Sequence, residues 1–328
     1  MASVLRIEDL TVSFSQPHRT IPAVRQISLS VSAGECVGIV GESGSGKTQA
    51  FMAAMGLLAD NAAAQGSVRF GEQEVVGLGR GPLNRFRGSK LTMVFQDPMS
   101  SLTPHLKIGT QLAEVLVCHA GKSWSEARAA ASRMLDRVRV PEPGRRLEQY
   151  PHELSGGLRQ RVMIGMSLLC DPELVIADEP TTALDVTVQA QIIDLLRAAR
   201  TEVGMALVLI SHDLGVVAGL ADRILVMYAG RIVETGSCAR VVQAPQHPYT
   251  QGLLASRAGH VFAKGARLGT IPGSPPDLAN PPPGCAFAPR CQFAEATCTK
   301  EVPREFEVEP GHVARCVRVA PAAATVAA

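Results

Sequence analysis

Short apolar runs that end in polar residues recur along this chain of 328 residues. Four of them occupy residues 35–40, 90–95, 173–177 and 206–210. Their length is typical of buried strands. Residues 49–55 and 186–200 each follow a strand-like run closely and are typical of helices. Strands that alternate with helices predict an α/β fold.

A second kind of strand is predicted where apolar and polar residues alternate. Residues 3–14 and 26–33 show this alternation and predict antiparallel strands joined by a loop over residues 16–22. Two more hairpins are predicted, at residues 64–70 with 72–76 and at residues 223–228 with 231–234. An antiparallel N-terminal β-subdomain is therefore expected beside the α/β core.

Residues 108–139 have apolar positions at the helical period and interrupt the alternation of strands and helices. Leu112, Val115, Leu116 and His119 form one stripe, and Ala127, Ala131, Met134 and Val138 form another. Proline and glycine at residues 141–144 end the second helix. We therefore expect an inserted helical subdomain over about residues 105–172.

Composition excludes several classes of protein. The 32 basic and 30 acidic residues give a net charge of +2, which indicates neither a nucleic acid nor a charged membrane surface as partner. Aromatic residues make up 4%, which argues against a base-stacking surface. The first ten residues are strand-like rather than a secretory signal. No apolar run approaches the roughly 20 residues that span a bilayer, so we expect a cytosolic protein.

Residues 41–48 carry the strongest chemical signal. Their sequence, GESGSGKT, fits the phosphate-loop pattern and lies between a predicted strand and a predicted helix, as the motif requires. The glycines let backbone N–H groups turn toward an anion, and the helix N-terminus adds partial positive charge. Lys47 can then contact the β- and γ-phosphates, and the Thr48 hydroxyl can bind Mg²⁺. The alternative is a glycine-rich turn between two core elements.

Other predicted strands end in polar residues, at the edge where ligands gather in α/β sheets. Asp178 and Glu179 follow one apolar run, and adjacent carboxylates suit Mg²⁺ binding and the activation of water. Gln96 and His212 follow two other runs. In each case the alternative is an ordinary turn at the end of a strand.

A second helix start contains glycine. Ser155 is a good N-cap, but Gly156 and Gly157 in the first turn weaken the helix by roughly 1 kcal/mol each relative to alanine. Glycine is useful here if a ligand approaches the backbone closely. The segment therefore predicts a second phosphate-binding helix N-terminus.

Together these motifs resemble those of the nucleotide-binding subunits of ABC transporters over about residues 4–240. In order they are the Walker A loop at 41–48, the Q-loop Gln96, the signature LSGGLRQR at 154–161, the Walker B strand at 174–179, the D-loop at 183–185 and the switch His212. One departure is Leu158, where the family usually has Gln. The resemblance implies a P-loop NTPase with a RecA-like core.

The resemblance also implies a mechanism. Two such subunits sandwich two ATP molecules, and the Walker A side of one faces the signature helix of the other. Glu179 would act as the general base, His212 would contact the γ-phosphate, and Lys47 would offset developing charge. Gln96 would report the γ-phosphate to membrane subunits through residues 97–106. The residues implied to contact nucleotide are Phe14 (stacking on adenine), Gly41, Ser43, Gly44, Ser45, Gly46, Lys47, Thr48, Gln49, Gln96, Ser155, Gly156, Gly157 and Asp185. Mg²⁺ would be held by Thr48, Gln96 and Asp178.

The tail narrows the resemblance to one branch of the family. Residues 247–256 (HPYTQGLLAS) and 271–276 (IPGSPP) resemble the extension that follows the ATPase domain in oligopeptide and dipeptide importers. We therefore expect an ATPase domain at 1–240 and an extension at 241–328. The implied partners are a related second ATPase, two membrane permeases and, indirectly, an extracytoplasmic substrate-binding protein. The implied location is the cytoplasmic face of the membrane.

Four cysteines in the tail, Cys285, Cys291, Cys298 and Cys316, suggest a metal centre. Gaps of five, six and seventeen residues leave no close C-x-x-C pair, which disfavours a zinc ribbon. Four thiolates suit a [4Fe–4S] cluster, and importers with this cysteine pattern are associated with one. Zinc or free thiols are the alternatives. The other four cysteines, Cys36, Cys118, Cys170 and Cys238, lie in apolar contexts and are predicted to be core residues.

Two rival functions share part of the pattern. A soluble ABC ATPase of DNA repair or translation tends to carry a long coiled-coil insertion, tandem ATPase domains or strongly basic arms, and this sequence has none of them. A P-loop kinase should lack the signature at Ser155, Gly156 and Gly157.

Overall fold

The structure is a computed structural model that describes residues 3–97, 101–182, 184–256 and 270–319. The strands are β1 (Ser3–Gln16), β2 (Arg19–Ser32), β3 (Cys36–Val40), β4 (Ala62–Phe70), β5 (Gln73–Glu74), β6 (Leu91–Val94), β7 (Leu174–Asp178), β8 (Ala206–Ser211), β9 (Arg223–Tyr228), β10 (Arg231–Ser237), β11 (Phe306–Glu309) and β12 (His312–Ala314). The helices are α1 (Lys47–Ala54), α2 (Arg80–Leu83), α3 (Ile108–Ala120), α4 (Trp124–Arg137), α5 (Pro143–Leu147), α6 (Gly156–Leu168), α7 (Val186–Val203), α8 (Leu214–Ala218), α9 (Cys238–Gln243) and α10 (Pro248–Ala255).

The chain divides into two compact units, each built from separate stretches of sequence. The first unit comprises Met1–Leu5, Ser30–Cys36 and Phe70–Ile210. The second comprises Arg6–Leu29, Val37–Arg69 and Ser211–Ala328.

The core of the first unit contains three parallel strands. β7 pairs with β6 on one side and with β8 on the other, in a register that places Val175 opposite Thr92 and Leu207. Every residue of β7 and β8 is buried. Strands that are covered on both faces are apolar throughout rather than alternating, which is why their sequences predicted them.

The helical part of the first unit has the predicted amphipathic stripe on α4. Ala127, Ala131 and Met134 are buried on this helix, and Val138, which follows it, is buried too. On α3 the buried face includes Leu112 and Leu116, whereas His119 is exposed. The inclusion of His119 in the α3 stripe was therefore wrong.

The second unit contains most of the N-terminal sheet, in which β1 lies between β2 and β4. Pro17 and His18 alone form the turn between β1 and β2. The predicted loop over residues 16–22 was therefore wrong, because both strands extend almost to the turn. Pro22 lies within β2 and is half-buried.

The remaining strands of the second unit form a mixed arrangement. β3 pairs in parallel with β9, and β9 pairs with β10 in the predicted hairpin. β12 then pairs antiparallel with both β10 and β11. All five residues of β3 are buried, and this strand leads directly into the loop at 41–46.

The C-terminal segment packs on a small apolar core. Ala314, Cys316 and Val319 are buried there, with Phe306 and Val308 packed against them. The proline-rich residues 271–283 form neither helix nor strand. Residues 257–269 and 320–328 of the predicted extension lie outside the described residues.

No helix in the described part of the chain combines the length and apolar character needed to cross a membrane.

Candidate functional site

The phosphate loop at residues 41–48 belongs to the second unit and connects β3 to α1. Gly46 has a φ of 95°, and a Cβ atom there would lie 2.2 Å from the carbonyl oxygen of Ala23. A Cβ atom on Gly41 would lie 2.2 Å from the carbonyl oxygen of Met227. Such distances leave no space for a side chain, so both positions require glycine.

Lys47 is the first residue of α1 and is only 5% exposed. Its Nζ atom donates hydrogen bonds to the carbonyl oxygens of Gly41 at 2.7 Å and Glu42 at 3.0 Å. The Ser45 Oγ atom is buried and has no hydrogen-bond partner among the described residues. Buried polar atoms normally have a partner, so this hydroxyl suits a loop that receives a polar ligand.

The acidic end of β7 belongs to the first unit. Asp178 is the last residue of the strand and is 2% exposed. Glu179 follows with a φ of 47°, a left-handed conformation that is uncommon for residues other than glycine. Its Oε2 atom accepts hydrogen bonds from Gln96 Nε2 at 3.1 Å and from Thr182 Oγ1 at 2.8 Å. The first unit therefore brings the two predicted site residues Gln96 and Glu179 into contact.

The signature segment forms the start of α6 in the first unit. Ser155 is its N-cap, and its side chain accepts a hydrogen bond from the Leu158 N–H at 3.4 Å. Gly156 and Gly157 form the first turn, as predicted. Arg159 Nε donates to the Pro151 carbonyl oxygen at 2.7 Å, which fixes the approach of the chain to the helix.

Asp185 caps the next helix of the first unit, α7. Its side chain accepts a hydrogen bond from the Val188 N–H at 2.9 Å. Val186, in the first turn, is 81% exposed. Ala183 of the predicted D-loop and residues 98–100 of the loop after Gln96 lie outside the described residues.

Phe14 and His212 belong to the second unit, as the phosphate loop does. Phe14 lies near the end of β1 and is half-buried. His212 directly follows β8 and is exposed. Within its own unit each residue has a position that is open to a ligand, and their assignment to a nucleotide site stays a prediction.

Sequence reasoning missed two residues that contact a predicted site residue or another residue of the phosphate loop. Thr182 holds the Glu179 carboxylate, and Arg290 forms an ion pair with Glu42 of the phosphate loop at 2.7 Å. A hydroxyl three residues after a candidate base was a signal for Thr182. Arg290 had only a weak signal, its position immediately before Cys291.

The four tail cysteines line one small cavity in the second unit. Its other lining residues include His247, Phe287 and Phe293. Burial raises the pKa of the thiols of Cys285, Cys291 and Cys316, and burial lowers the pKa of His247 to about 4. Within the described residues, no group of three Cys, His, Asp or Glu side chains is arranged to hold a metal ion.

The other cysteines do not all behave as predicted. Cys36 is buried, and Cys170 and Cys238 are partly buried. Cys118 is exposed on the outer face of α3, so its prediction as a core residue was wrong. Its neighbours in sequence are apolar, but the helical period turns this position away from Leu112 and Leu116.

The fold and the motifs define a class, the ATP-hydrolysing cassettes of ABC transporters. Residues 24–182 match the family described as ABC transporter, and residues 233–298 match "Oligopeptide/dipeptide transporter, C-terminal region". A dimeric structure of the ATP-binding cassette MJ0796 bound to ADP and Pi matches with a TM-score of 0.65 at 28% identity, covering 71% of this chain and 98% of that one. The predicted fold class is therefore confirmed.

Full-length relatives define the family more closely. The oligopeptide transport ATP-binding protein OppD of Salmonella typhimurium is 49% identical over 315 residues, which cover 96% of this chain and 93% of that protein. OppD of Haemophilus influenzae is 50% identical over 298 residues, which cover 91% of this chain and 92% of that protein. The chain belongs to this family of oligopeptide transport ATP-binding proteins.

Proposed function

We propose that this chain hydrolyses ATP to power the uptake of dipeptides or oligopeptides through separate membrane permease subunits. The observation that carries the proposal is the pair of consecutive family matches, one over the cassette and one over the extension. Further support comes from the position of Lys47 in the phosphate loop and from the contact between Gln96 and Glu179.

Within this function, the phosphate loop holds the nucleotide. Lys47 Nζ now donates to two main-chain carbonyl oxygens of its own loop, and phosphate oxygens would replace these acceptors. Backbone N–H groups of residues 43–48 would donate to the same phosphates. Phe14 would stack on the adenine ring.

Oxygen donors for Mg²⁺ would come from Thr48, Gln96 and Asp178. This set suits a hard cation, because hydroxyl, amide and carboxylate oxygens are the ligands that Mg²⁺ prefers. Bound Mg²⁺ neutralises charge on the β- and γ-phosphates. The carboxyl group of Asp178 is buried at the end of β7, where such a ligand can be held in place.

Glu179 would accept a proton from the attacking water, and His212 would donate to the γ-phosphate. The hydrogen bonds from Gln96 and Thr182 orient the Glu179 carboxylate for this role. Ser155, with the N–H groups of Gly156 and Gly157, would bind the γ-phosphate held by a second ATPase subunit, and Asp185 would contact the nucleotide there. That second subunit is proposed to be a related chain.

The proposed partners are therefore a related ATPase and two permeases, assembled at the cytoplasmic face of the membrane, with a substrate-binding protein on the other side. An affinity pull-down of the tagged chain from gently solubilised membranes tests this. We expect permease subunits and a second ATPase in stoichiometric amounts. Nucleic-acid-binding proteins instead, together with ATPase activity that nucleic acid strongly stimulates, would favour a function in DNA repair or translation.

A finer proposal is that the four cysteines bind a [4Fe–4S] cluster. Its support is that four thiols from distant positions line one cavity and form the donor set of such a cluster. Since no three described side chains are arranged for a metal, cluster binding requires the thiol groups to move together. Protein purified without oxygen should contain about four irons per chain. The Cys298→Ser variant should lose iron and the Cys118→Ser variant should keep it, whereas stoichiometric zinc would contradict the proposal.

A further inference from the structure

Glu42, the second residue of the phosphate loop, is held by two residues more than 200 positions away. Its N–H group donates a hydrogen bond to Tyr249 Oη at 2.8 Å. Its carboxylate is bound by both terminal nitrogens of Arg290: Nη1 contacts Oε2 at 2.7 Å, and Nη2 contacts Oε1 at 3.0 Å. This two-pronged geometry is the strongest form of an arginine–carboxylate pair.

The guanidinium of Arg290 contacts acceptors on several segments. Nε donates to the Pro272 carbonyl oxygen at 2.8 Å, Nη1 also donates to Tyr228 Oη at 3.2 Å, and Nη2 also donates to the Ile271 carbonyl oxygen at 3.4 Å. Arginine has five N–H donors, and these contacts use all of them. The Arg290 side chain is only 6% exposed and that of Glu42 is 26% exposed, so the ion pair is partly shielded from water. The hydrogen bonds to Glu42 raise the pKa of Arg290 above the ordinary value of an arginine side chain.

Aromatic rings hold this pair in place. The ring centroids of Tyr228 and Tyr249 are 4.6 Å apart, and those of Tyr228 and Phe287 are 5.3 Å apart. Phe287 and Arg290 both lie between Cys285 and Cys291. The cysteine segment is therefore joined to the phosphate loop through a partly buried ion pair that both terminal nitrogens of Arg290 form.

The contact continues to Lys47. The carbonyl oxygen of Glu42 accepts a hydrogen bond from Lys47 Nζ at 3.0 Å. Arg290 and Tyr249 thus fix the side chain and N–H of a residue whose carbonyl group contacts the phosphate-binding lysine. A shift of Glu42 would change the position of the loop start and of this amine.

We propose that Arg290 is a positioning residue for ATP binding, which acts by holding Glu42 and with it the start of the phosphate loop. This rests on the proposed role of the phosphate loop in nucleotide binding. The extension is then part of the ATPase machinery, and the segment between Cys285 and Cys291 sets the affinity for ATP.

The test compares Arg290→Lys with Glu42→Gln in the full chain. Lysine keeps the positive charge but lacks the planar guanidinium group that can bind both carboxylate oxygens. Glutamine keeps the size of Glu42 but loses its charge. ATP affinity is measured by calorimetry, and KM and kcat by a steady-state ATPase assay. Each variant should weaken ATP binding about tenfold, as expected for loss of a charge-assisted hydrogen bond. The kcat should stay within about twofold of the wild-type value. The reason is that an interaction that stabilises the bound ground state and the transition state equally changes only KM.

A control and a double variant separate positioning from simple stabilisation. Arg240→Lys changes an exposed ion pair with Glu309 elsewhere in the second unit and should leave ATP affinity unchanged. The variant that carries both Arg290→Lys and Glu42→Gln should bind ATP no more weakly than either single variant, since the two substitutions remove the same contact. If Arg290→Lys does not fold, Glu42→Gln alone decides the outcome.

Three results bear on the proposal. A lower melting temperature with unchanged KM in both variants would show that Arg290 only stabilises the fold, and would overturn the proposal. If Lys47→Ala abolishes ATP binding while the Arg290 and Glu42 variants bind like wild type, only this inference fails. If Lys47→Ala binds ATP normally, the proposed function of the loop itself fails.

Discussion

At the scale of single residues, Glu179 is held in one orientation by its surroundings. Gln96 Nε2 and Thr182 Oγ1 donate hydrogen bonds to the same oxygen of its carboxylate, Oε2. Its positive φ is of the kind that costs of order 1–3 kcal/mol and is found at functional sites. These contacts and this backbone conformation fix the position of the carboxylate that we propose as the general base.

The Glu179→Gln variant should bind ATP but hydrolyse it at least about 100-fold more slowly, the usual contribution of a general base. The glutamine carbonyl can still accept from Thr182, so the binding geometry is kept. Single-turnover hydrolysis and ATP affinity are measured on the same sample.

The matched control is Glu173→Gln, just before the other end of β7. Glu173 forms an exposed ion pair with Lys90 at 2.8 Å and has no part in the site, so its hydrolysis rate should be that of wild type. A Glu179→Gln variant with the wild-type rate would exclude Glu179 as the base.

The Lys47→Ala variant should lose ATP turnover, with a loss of at least about 100-fold, because the β- and γ-phosphates lose their cation. The Gly41 and Glu42 carbonyl oxygens would also lose a buried donor, so a thermal melt must accompany the assay. Lys90→Ala, which removes an exposed lysine, serves as the control. Unchanged turnover in a folded Lys47→Ala variant would end the assignment of the phosphate loop.

Local patterns predicted two residues at strand ends that lie in contact, and they failed for residues whose contacts are distant in sequence. Gln96 and Glu179 were both predicted because polar residues follow buried runs, and parallel pairing of β6 with β7 explains their contact. Arg290 was missed because its partner Glu42 is 248 residues away. No periodic pattern or short motif in the sequence indicates a contact between residues that far apart along the chain.

At the scale of helices and strands, α4 depends on its first turn. Ser123 and Glu126 form a capping box, in which the Ser123 side chain accepts from the Glu126 N–H and the Glu126 carboxylate accepts from the Ser123 N–H at 3.0 Å. The two groups satisfy N–H donors that the helix itself cannot pair.

The Ser123→Ala variant should lower the free energy of unfolding by about 1 kcal/mol, measured by urea denaturation. Ser132→Ala, in the middle of the same helix, should not lower it, because alanine is the best helix former. Equal effects of the two substitutions would show that the cap contributes nothing.

This cap also predicts a dependence on pH. The hydrogen bonds from the side chain and then the backbone of Ser123 lower the pKa of Glu126. A lowered folded-state pKa stabilises the fold above the ordinary glutamate pKa of about 4.3, and this stability is lost as the pH falls through the folded value. The difference in free energy of unfolding between wild type and Ser123→Ala should therefore become smaller in that acidic pH range.

Strand and helix identities were predictable, but some boundaries were not. Every residue of β7 and β8 is buried, and such continuous apolar runs predicted them well. The turn between β1 and β2 was predicted too long because Pro17 and Pro22 both favour loops. Pairing with neighbouring strands keeps Pro22 within β2, which local propensity could not indicate.

At the scale of the whole molecule, each compact unit is assembled from separate stretches of the chain. The predicted division into residues 1–240 and 241–328 follows the order of motifs, and it stays a prediction. Residues 211–256 and 270–319 share a unit with the phosphate loop, which agrees with the contacts of Tyr249 and Arg290 to Glu42.

Glu234 joins three segments of the second unit and is 1% exposed. Its Oε1 atom lies 2.8 Å from both the Gln246 nitrogen and His312 Nε2, and its Oε2 atom accepts from the His247 N–H at 2.9 Å. One carboxylate on β10 therefore fixes the start of α10 and the strand β12.

Replacing Glu234 should destabilise the chain more than any exposed substitution in the same unit. Glu234→Ala leaves the buried N–H group of His247, the partly buried N–H group of Gln246 and the His312 side chain without this carboxylate, at a cost of about 1–3 kcal/mol for each buried group left unpaired. We expect a loss of about 3 kcal/mol in the free energy of unfolding, since water and small shifts compensate in part. The free energy of unfolding of Glu234→Gln, which keeps one acceptor oxygen, should lie between those of wild type and Glu234→Ala.

The measurement is urea denaturation, with Glu301→Ala as the control because Glu301 is exposed in the same C-terminal segment. The control should change stability by less than about 0.5 kcal/mol. Because Glu234 also holds the N–H of the residue that precedes α10, Glu234→Ala should displace Tyr249 and weaken ATP binding as Arg290→Lys does. A Glu234→Ala variant as stable as the control would show that the extension is held in place without this carboxylate.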